Sequence, residues 1–281
     1  STSSITQGEQ VGVLWGYMLK QGIKLHFAHR SFRWRNEARG VAALDCVIIG
    51  FAPFDIPKKR LFSYAAVTAV HTEAAVTNIS PYLVEGSDMV LSSRGKPICN
   101  VPDIGIGSQP IDDGNYLFTI EERDRFLADE PGAKRFFFRW LGSDEFLNGY
   151  ERWALWVGQA TPAELRAMPS VMDRVEKVRA FRLKSKRAQT LKAAATPARF
   201  GTEIIPKSPY LLVPKVSSER RQFIPMGFMQ PSTLVSDLVF TIPNASLYHF
   251  GVLSGTMHNA WVRFTCGRLE SRYRYSKDIV Y

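Results

Sequence analysis

Apolar positions recur at two different periods along this chain, and the change of period marks out its elements. Val11, Leu14, Trp15 and Met18 repeat at helical spacing, so residues 10–22 read as a helix that Gly22 closes. From Lys24 to Trp34 the phase shifts. Leu25 and Phe27 share one face while Phe32 and Trp34 fall in the opposite phase, which predicts a strand with a bulge. Arg35 to Gly40 is a polar connection. Ala42 to Phe51 is almost unbroken apolar, as expected of a strand covered on both faces. A buried strand needs neighbours, and this opening supplies one, so it reads as the cut edge of a larger sheet.

Pro53 and Pro57, with Lys58, Lys59 and Arg60, read as a linker-like break. Residues 61–118 carry short strand-like runs among Gly, Pro, Asn and Ser. Thr119 and Glu122 form a capping box for an acidic helix ending near Pro131. Arg135 to Trp140 is aromatic and basic, Ser143 is a candidate cap for a helical turn, and Tyr150 to Val157 reads as a strand. Thr161, Pro162 and Glu164 start another helix, with Pro at the favoured first position. Ser170 and Asp173 are expected to begin the longest helix, which runs to about Ala195 with Val171, Val175 and Val178 buried. Its later turns are dominated by Arg179, Arg182, Lys184, Lys186, Arg187 and Lys192. Residues 209–242 carry three strand candidates. Asn244 is expected to cap a last helix striped by Phe250, Leu253, Met257, Trp261 and Phe264.

Charge adds direction to this picture. The 281 residues carry a net +10, which favours polyanionic partners. Residues 103–130 hold eight acidic side chains against two basic ones, and residues 171–192 hold the reverse. Such segregation suits docking on a phosphate backbone. No apolar window is long enough to span a membrane. The N-terminus is not a signal peptide, and its lack of a starting Met hints at a processed fragment. Cys46, Cys99 and Cys266 are too few and scattered for a disulfide framework or zinc site, and read as buried thiols in a reducing cytoplasm.

Sites for catalysis are scarce. Gly105-Ile106-Gly107-Ser108-Gln109-Pro110 nearly matches a dinucleotide loop, but Pro110 replaces the third glycine, so a turn is the better reading. His26, His29, His71, His249 and His258 form no metal-type spacing, and His258 reads as a structural histidine. The segment Ser217-Ser218-Glu219-Arg220-Arg221-Gln222 is sharper. Arg pairs with guanine in the major groove, Gln with adenine, and Glu accepts from cytosine. A plain surface loop is the alternative for that segment, and a solvated charged face is the alternative for the long basic helix. The tail Arg272-Tyr273-Arg274-Tyr275-Ser276 alternates basic and aromatic residues.

Several long runs carry a resemblance. They are Ser4-Ile5-Thr6-Gln7-Gly8-Glu9-Gln10-Val11, Leu14-Trp15, His26 to Trp34, Asn36 to Gly40, Arg139 to Ser143, Glu145-Phe146 and Arg152-Trp153. Ser217 to Arg221, Ile224 to Phe228, Phe250-Gly251-Val252, Met257-His258, Trp261-Val262-Arg263 and Tyr273 to Ser276 continue it. Together they resemble the large single-chain adenine-N6 DNA methyltransferases of type II restriction–modification systems, the MmeI-like group, over essentially the whole chain.

The resemblance implies a class I methyltransferase fold that uses S-adenosylmethionine, followed by a target recognition domain. The family's Gly-rich cofactor loop and Asn-Pro-Pro-aromatic motif are absent here, so this sequence is expected to begin after the catalytic motif and to stop short of the family's end. Fold class is then α/β and α+β. Residues 1–52 are the closing helix and antiparallel strands of the methyltransferase sheet, and residues 53–281 are the recognition domain. Double-stranded DNA and the upstream methyltransferase domain of the same chain are the expected partners, in a bacterial cytoplasm and without membrane. S-adenosylmethionine belongs to the full-length enzyme; this piece is expected to bind none and to be inactive alone. Ser218, Arg220 and Arg221 are the first candidates for base contact, with Arg272 and Arg274 second. The alternative for those two is a buried strand edge with snorkelling arginines. Lys184, Lys186 and Arg187 are candidates for phosphate contact. A non-enzymatic nucleic-acid-binding specificity module is the alternative for the chain as a whole.

Overall fold

In the computed structural model of the protein, residues 1–34, 44–64 and 70–281 are described. The connection read at Arg35–Gly40, the run Asn36–Gly40 and the start of the apolar run at Ala42 lie outside the described residues. After a 3-10 turn at Ser3–Thr6 come α1 (Glu9–Lys20), β1 (Lys24–Trp34), β2 (Leu44–Ala52), β3 (Lys59–Ser63) and β4 (Thr72–Val76). β5 (Gly105–Ile106), β6 (Leu117–Phe118), α2 (Ile120–Asp129), β7 (Phe137–Leu141), α3 (Ser143–Asn148) and β8 (Arg152–Leu155) follow. α4 (Pro162–Arg166), α5 (Pro169–Leu183) and α6 (Ala188–Ala193) precede β9 (Tyr210–Pro214), β10 (Val216–Ser217), β11 (Gly227–Met229), β12 (Thr233–Val235) and β13 (Val239–Pro243). The last elements are α7 (Leu247–Ser254), α8 (Thr256–Thr265), β14 (Arg268–Leu269), β15 (Arg272–Arg274) and α9 (Lys277–Val280). Mixed and antiparallel sheets with helices make this an α/β and α+β chain. It divides into two units: residues 1–101, 216–223 and 255–281 form one, and 102–215 with 224–254 form the other.

The first unit is built on a sheet of order β2-β1-β3-β4. α1 lays Val11 and Trp15 on it, and the indole N–H of Trp15 donates to the Ile5 carbonyl at 2.8 Å. β1 pairs antiparallel with β2, and its register slips between Leu25 and Phe27 and again between His29 and Phe32, which is the expected bulging. One slip puts Phe27 opposite Gly50. A Cβ on Gly50 would sit 2.0 Å from the Phe27 ring, so any larger residue there would displace that ring.

Two expectations fail in this unit. β2 is not covered on both faces: Val47 is buried, but Leu44, Ile48 and Phe51 are about half exposed. An apolar run states what a strand could bury, not what lies over it. The residues Lys58–Arg60 are not a linker either, because Lys59 and Arg60 open β3, which pairs parallel with β1. Lys59 is fully buried, donating to Asn78 and pairing with Asp55 at 2.9 Å. The Cys reading is corrected in part: Cys266 is buried and Cys46 partly so, but Cys99 is exposed.

The second unit holds two sheets, β12-β7-β8-β6 and β11-β9-β13-β5. α5 places Val171, Val175 and Val178 in a core with Phe118, Trp140 and Leu155. The capping boxes at Thr119/Glu122 and Thr161/Glu164 form as expected. At α3 the cap is Gly142, whose N–H donates to Glu145 at 2.8 Å, and Ser143 is already helical. Gly105 opens a strand rather than a turn: β5 pairs with β13, and a Cβ on Gly107, just past its end, would lie 2.3 Å from the Ser236 carbonyl oxygen.

Two helices differ from expectation. α5 starts at Pro169 rather than at a Ser170 cap, and it stops at Leu183 before a bend and the short α6. The reason is Arg182, which is fully buried. Its guanidinium donates to the carbonyls of Ile111 (2.9 Å), Ala193 (2.9 Å), Thr196 (3.2 Å), Pro110 (2.8 Å) and Arg199 (2.7 Å). Folding the chain back to supply those acceptors ends the helix. The last expected helix is likewise two, α7 and α8, separated at Gly255 in extended conformation. Asn244 is no cap, its φ being 58°. Met257, expected on the apolar stripe, is exposed.

Candidate nucleic-acid interface

In the first unit, β10, β15 and β14 form a small sheet in that order. Val216 pairs with Arg274 and Ser217 with Tyr273; across the other edge Arg268 pairs with Tyr273 and Leu269 with Arg272. The period-two alternation of the tail is therefore strand alternation, and it sends Arg272 and Arg274 to one face and Tyr273 to the other. Both arginines are exposed, and β15 is the central strand, so the buried-edge reading of them is set aside. On the opposite face the Arg268 guanidinium lies 4.3 Å from the Tyr273 ring centre, a cation–π contact. Arg272 pairs with Glu270 at 3.0 Å, both exposed, which contributes little.

The candidate loop begins where β10 ends. The Arg221 N–H donates to the Ser218 carbonyl at 3.1 Å, and the Arg220 N–H to the Ser218 hydroxyl at 3.2 Å. Ser218 thus acts first as the organiser of a tight turn. Arg220 is exposed and Arg221 half-buried, and neither takes part in an ion pair among the described residues. The Glu219 carboxyl is held below its ordinary pKa, first by its own backbone N–H, then by Ser271 and the charges of Arg220 and Arg268. It is an acceptor at neutral pH, flanked by guanidinium donors. Loop and tail stand more than fifty residues apart in sequence, and the structure joins them through β10 and β15.

Support for this sheet comes from α8. The His258 ring bonds the Tyr275 hydroxyl at 3.0 Å, and the Cys266 sulfur accepts from the Ser276 N–H at 3.3 Å. Burial pushes the His258 pKa down to about 4 and the Cys266 thiol up to about 11. His258 is therefore a neutral structural residue.

Lys184, Lys186 and Arg187 lie in the other unit, at the bend between α5 and α6. All three are exposed and outside any ion pair among the described residues. Their neighbours on α5 are different: Lys177 pairs with Asp173 at 2.6 Å and Arg179 with Glu176 at 3.9 Å. Along α5 and α6, exposed charge outside any ion pair among the described residues lies at the bend and, on α6, at Lys192. No group of acids, histidines and cysteines among the described residues is arranged to hold a metal, and no helix there is long and apolar enough to cross a membrane.

Comparison with known proteins fixes the family. The model described as the MmeI target recognition domain matches residues 85–281, and that of the MmeI DNA-methyltransferase domain matches residues 1–63. The chain belongs to the MmeI family. DNA methyltransferase A of Bacillus subtilis (strain 168) is 39% identical over 281 residues, all of this chain and 31% of that protein. The structure of the Type IIL restriction–modification enzyme MmeI in complex with DNA superposes with a TM-score of 0.97 at 48% identity, covering all of this chain and 38% of that one. The chain thus spans about a third of the length of both relatives.

Proposed function

We propose that this chain is the sequence-reading part of a DNA adenine-N6 methyltransferase of a restriction–modification system. The observation that carries the reading is the 48% identity and 0.97 TM-score, over the full chain, to an enzyme solved on DNA. In this reading residues 1–52 close the methyltransferase sheet and residues 53–281 form the recognition domain. The half-exposed apolar face of β2 is where the rest of the methyltransferase domain of the same protein would pack. The partner is double-stranded DNA, in a bacterial cytoplasm.

The family implies S-adenosylmethionine, and the described residues do not fit it. The glycine pair that sequence offered for a cofactor loop runs beside β13, Gly105 in β5 and Gly107 just past its end, with the Ser236 carbonyl filling the space beside Gly107. No chemical step is therefore assigned to this chain, which we propose is inactive by itself. Its part is positional. The target adenine must leave the base stack to reach a catalytic pocket, and which adenine does so depends on contacts made elsewhere on the duplex. Ser218 shapes the turn that presents Arg220 and Arg221 to base edges. Arg272 and Arg274 extend the same sheet, and Lys184, Lys186 and Arg187 contact phosphates.

Mapping methylated sites tests this. Arg220→Ala or Arg221→Ala in the intact enzyme should relax or change the recognised sequence, at a cost of about 1–3 kcal/mol for each bidentate pairing with a base that is removed. The same site methylated at undiminished rate would remove that residue from the interface.

A further inference from the structure

Three of the runs that carry the family resemblance are distant in sequence and meet in the first unit. Thr6 and Gln7 come from the first run, Arg30 and Ser31 from β1, and Arg263 from the end of α8. With Arg268 of β14 they line a cavity of about 140 Å³. The remaining wall is apolar, aromatic or thiol-bearing, and no carboxylate lines it. Three arginines thus line one small space, and Glu219, outside its wall, partly answers Arg268. Among the described residues none of the three takes part in an ion pair. Arg30 makes no hydrogen bond there. Arg263 donates to the Asn259 carbonyl at 3.2 Å, and Arg268 to the carbonyls of Ser271 at 3.1 Å and Arg263 at 3.5 Å. Each guanidinium has five N–H donors, so most of the set is unused.

Gathering like charges opposes folding unless an anion answers them. Guanidinium forks match the oxygens of a phosphate group, and the Ser31 hydroxyl and Gln7 amide add neutral donors. Arg268 also fixes which anion. Its strand is hydrogen-bonded to β15, and its guanidinium stacks on Tyr273, between Arg272 and Arg274 in sequence. The cavity therefore adjoins the candidate recognition sheet through Arg268, on the face opposite Arg272 and Arg274. We propose that it binds one phosphodiester group of the DNA backbone and so fixes the register of that sheet on the duplex. This rests on the DNA-reading function proposed above.

The test uses the intact protein, short duplexes bearing a single neutral methylphosphonate at successive positions, and the variants Arg30→Ala and Arg268→Ala, with thermal melting as a check on folding. In wild type one methylphosphonate position should weaken binding about tenfold, and in the variants that same position should have no further effect. The slope of log affinity against log salt should flatten by about 0.9 for the one phosphate no longer neutralised. Arg30 is exposed, so Arg30→Ala keeps the test open if the other variant fails to fold. Duplex binding with an unchanged slope and no position that couples to the variants overturns the cavity assignment and leaves the DNA-reading function standing. Failure of wild type to bind any duplex overturns that function, and the phosphodiester assignment with it. Stabilisation of wild type but not the variants by inorganic phosphate, without coupling to any backbone position, makes this a free-anion site and overturns the assignment too.

Discussion

In the α5–α6 region the arginine at position 182 faces inward and donates to five carbonyls, whereas in the β10–β15–β14 sheet Arg220 and Arg274 are exposed and outside any described ion pair. Both stretches are strongly basic in sequence. In the first, Lys177 and Arg179 are answered by acids one helical turn away, Arg174 donates to the Asn115 carbonyl, and Arg182 is consumed as a hub of the fold; Lys184, Lys186 and Arg187 at the bend and Lys192 on α6 stay outside any described ion pair. In the second, two short strands and a tight turn hold the cations outward, and no core needs them. A run of positive charge therefore says little about DNA contact until each cation is asked what else it bonds.

The largest effect should come from the inward arginine. Arg182→Met leaves five backbone oxygens without their donor, and buried acceptors left unsatisfied cost about 1–3 kcal/mol each, softened where a second partner exists. A loss of about 3–5 kcal/mol of stability, read from denaturant midpoints, is expected for the second unit. A loss below about 1 kcal/mol would break the distinction between a structural and a binding arginine.

How far these roles are legible in the sequence follows from the same contrast. Local pattern locates α1, the bulged β1 and both threonine capping boxes, because each depends on neighbours close in sequence. It extends α5 to Ala195 because the carbonyls that stop it come from Pro110, Ile111 and residues after the bend. It reads Lys59 as linker because Asn78, its partner, is nineteen residues away. The binding candidates follow from residue type and resemblance. What sequence does not supply is that Ser218's turn and Arg274 belong to paired strands, since the β10–β15 register joins positions far apart in the chain.

Next in size is the bend. Replacing Lys184, Lys186 and Arg187 by alanine should weaken binding to every duplex alike and reduce the salt slope by about 0.9 for each phosphate that is no longer neutralised. If all three make contact, the drop in affinity between roughly 50 and 200 mM salt becomes about fortyfold smaller. Titrations on specific and scrambled duplexes read this, and a change confined to the specific sequence would move these residues from phosphate to base recognition. Support of the recognition sheet should then show in pH. His258 is neutral in the fold, with a pKa of about 4 against an ordinary value near 6.5. Below 6.5 the unfolded chain takes up a proton that the folded chain refuses, so stability is complete above that pH and declines as pH falls toward 4. The loss at pH 5 should be about 1–2 kcal/mol. His258→Gln should flatten the profile, and an unflattened one would mean that other groups set it.

The smallest effect is the sharpest control on the comparison. Lys177 and Arg179 sit in the same basic helix as Arg182 but are paired with Asp173 and Glu176 on the exposed helix surface. Such pairs stabilise a helix by about 0.2–0.5 kcal/mol. Lys177→Ala with Arg179→Ala should therefore cost at most about 1 kcal/mol of stability. More to the point, it should leave the salt slope of DNA binding nearly unchanged, because each cation already has a counter-charge and releases few ions when DNA arrives. If the double variant flattened the slope as much as the bend variant does, local pairing would not distinguish the two sets. The whole of α5 would then count as a phosphate-facing helix, with Arg174 and Arg182 its inward exceptions.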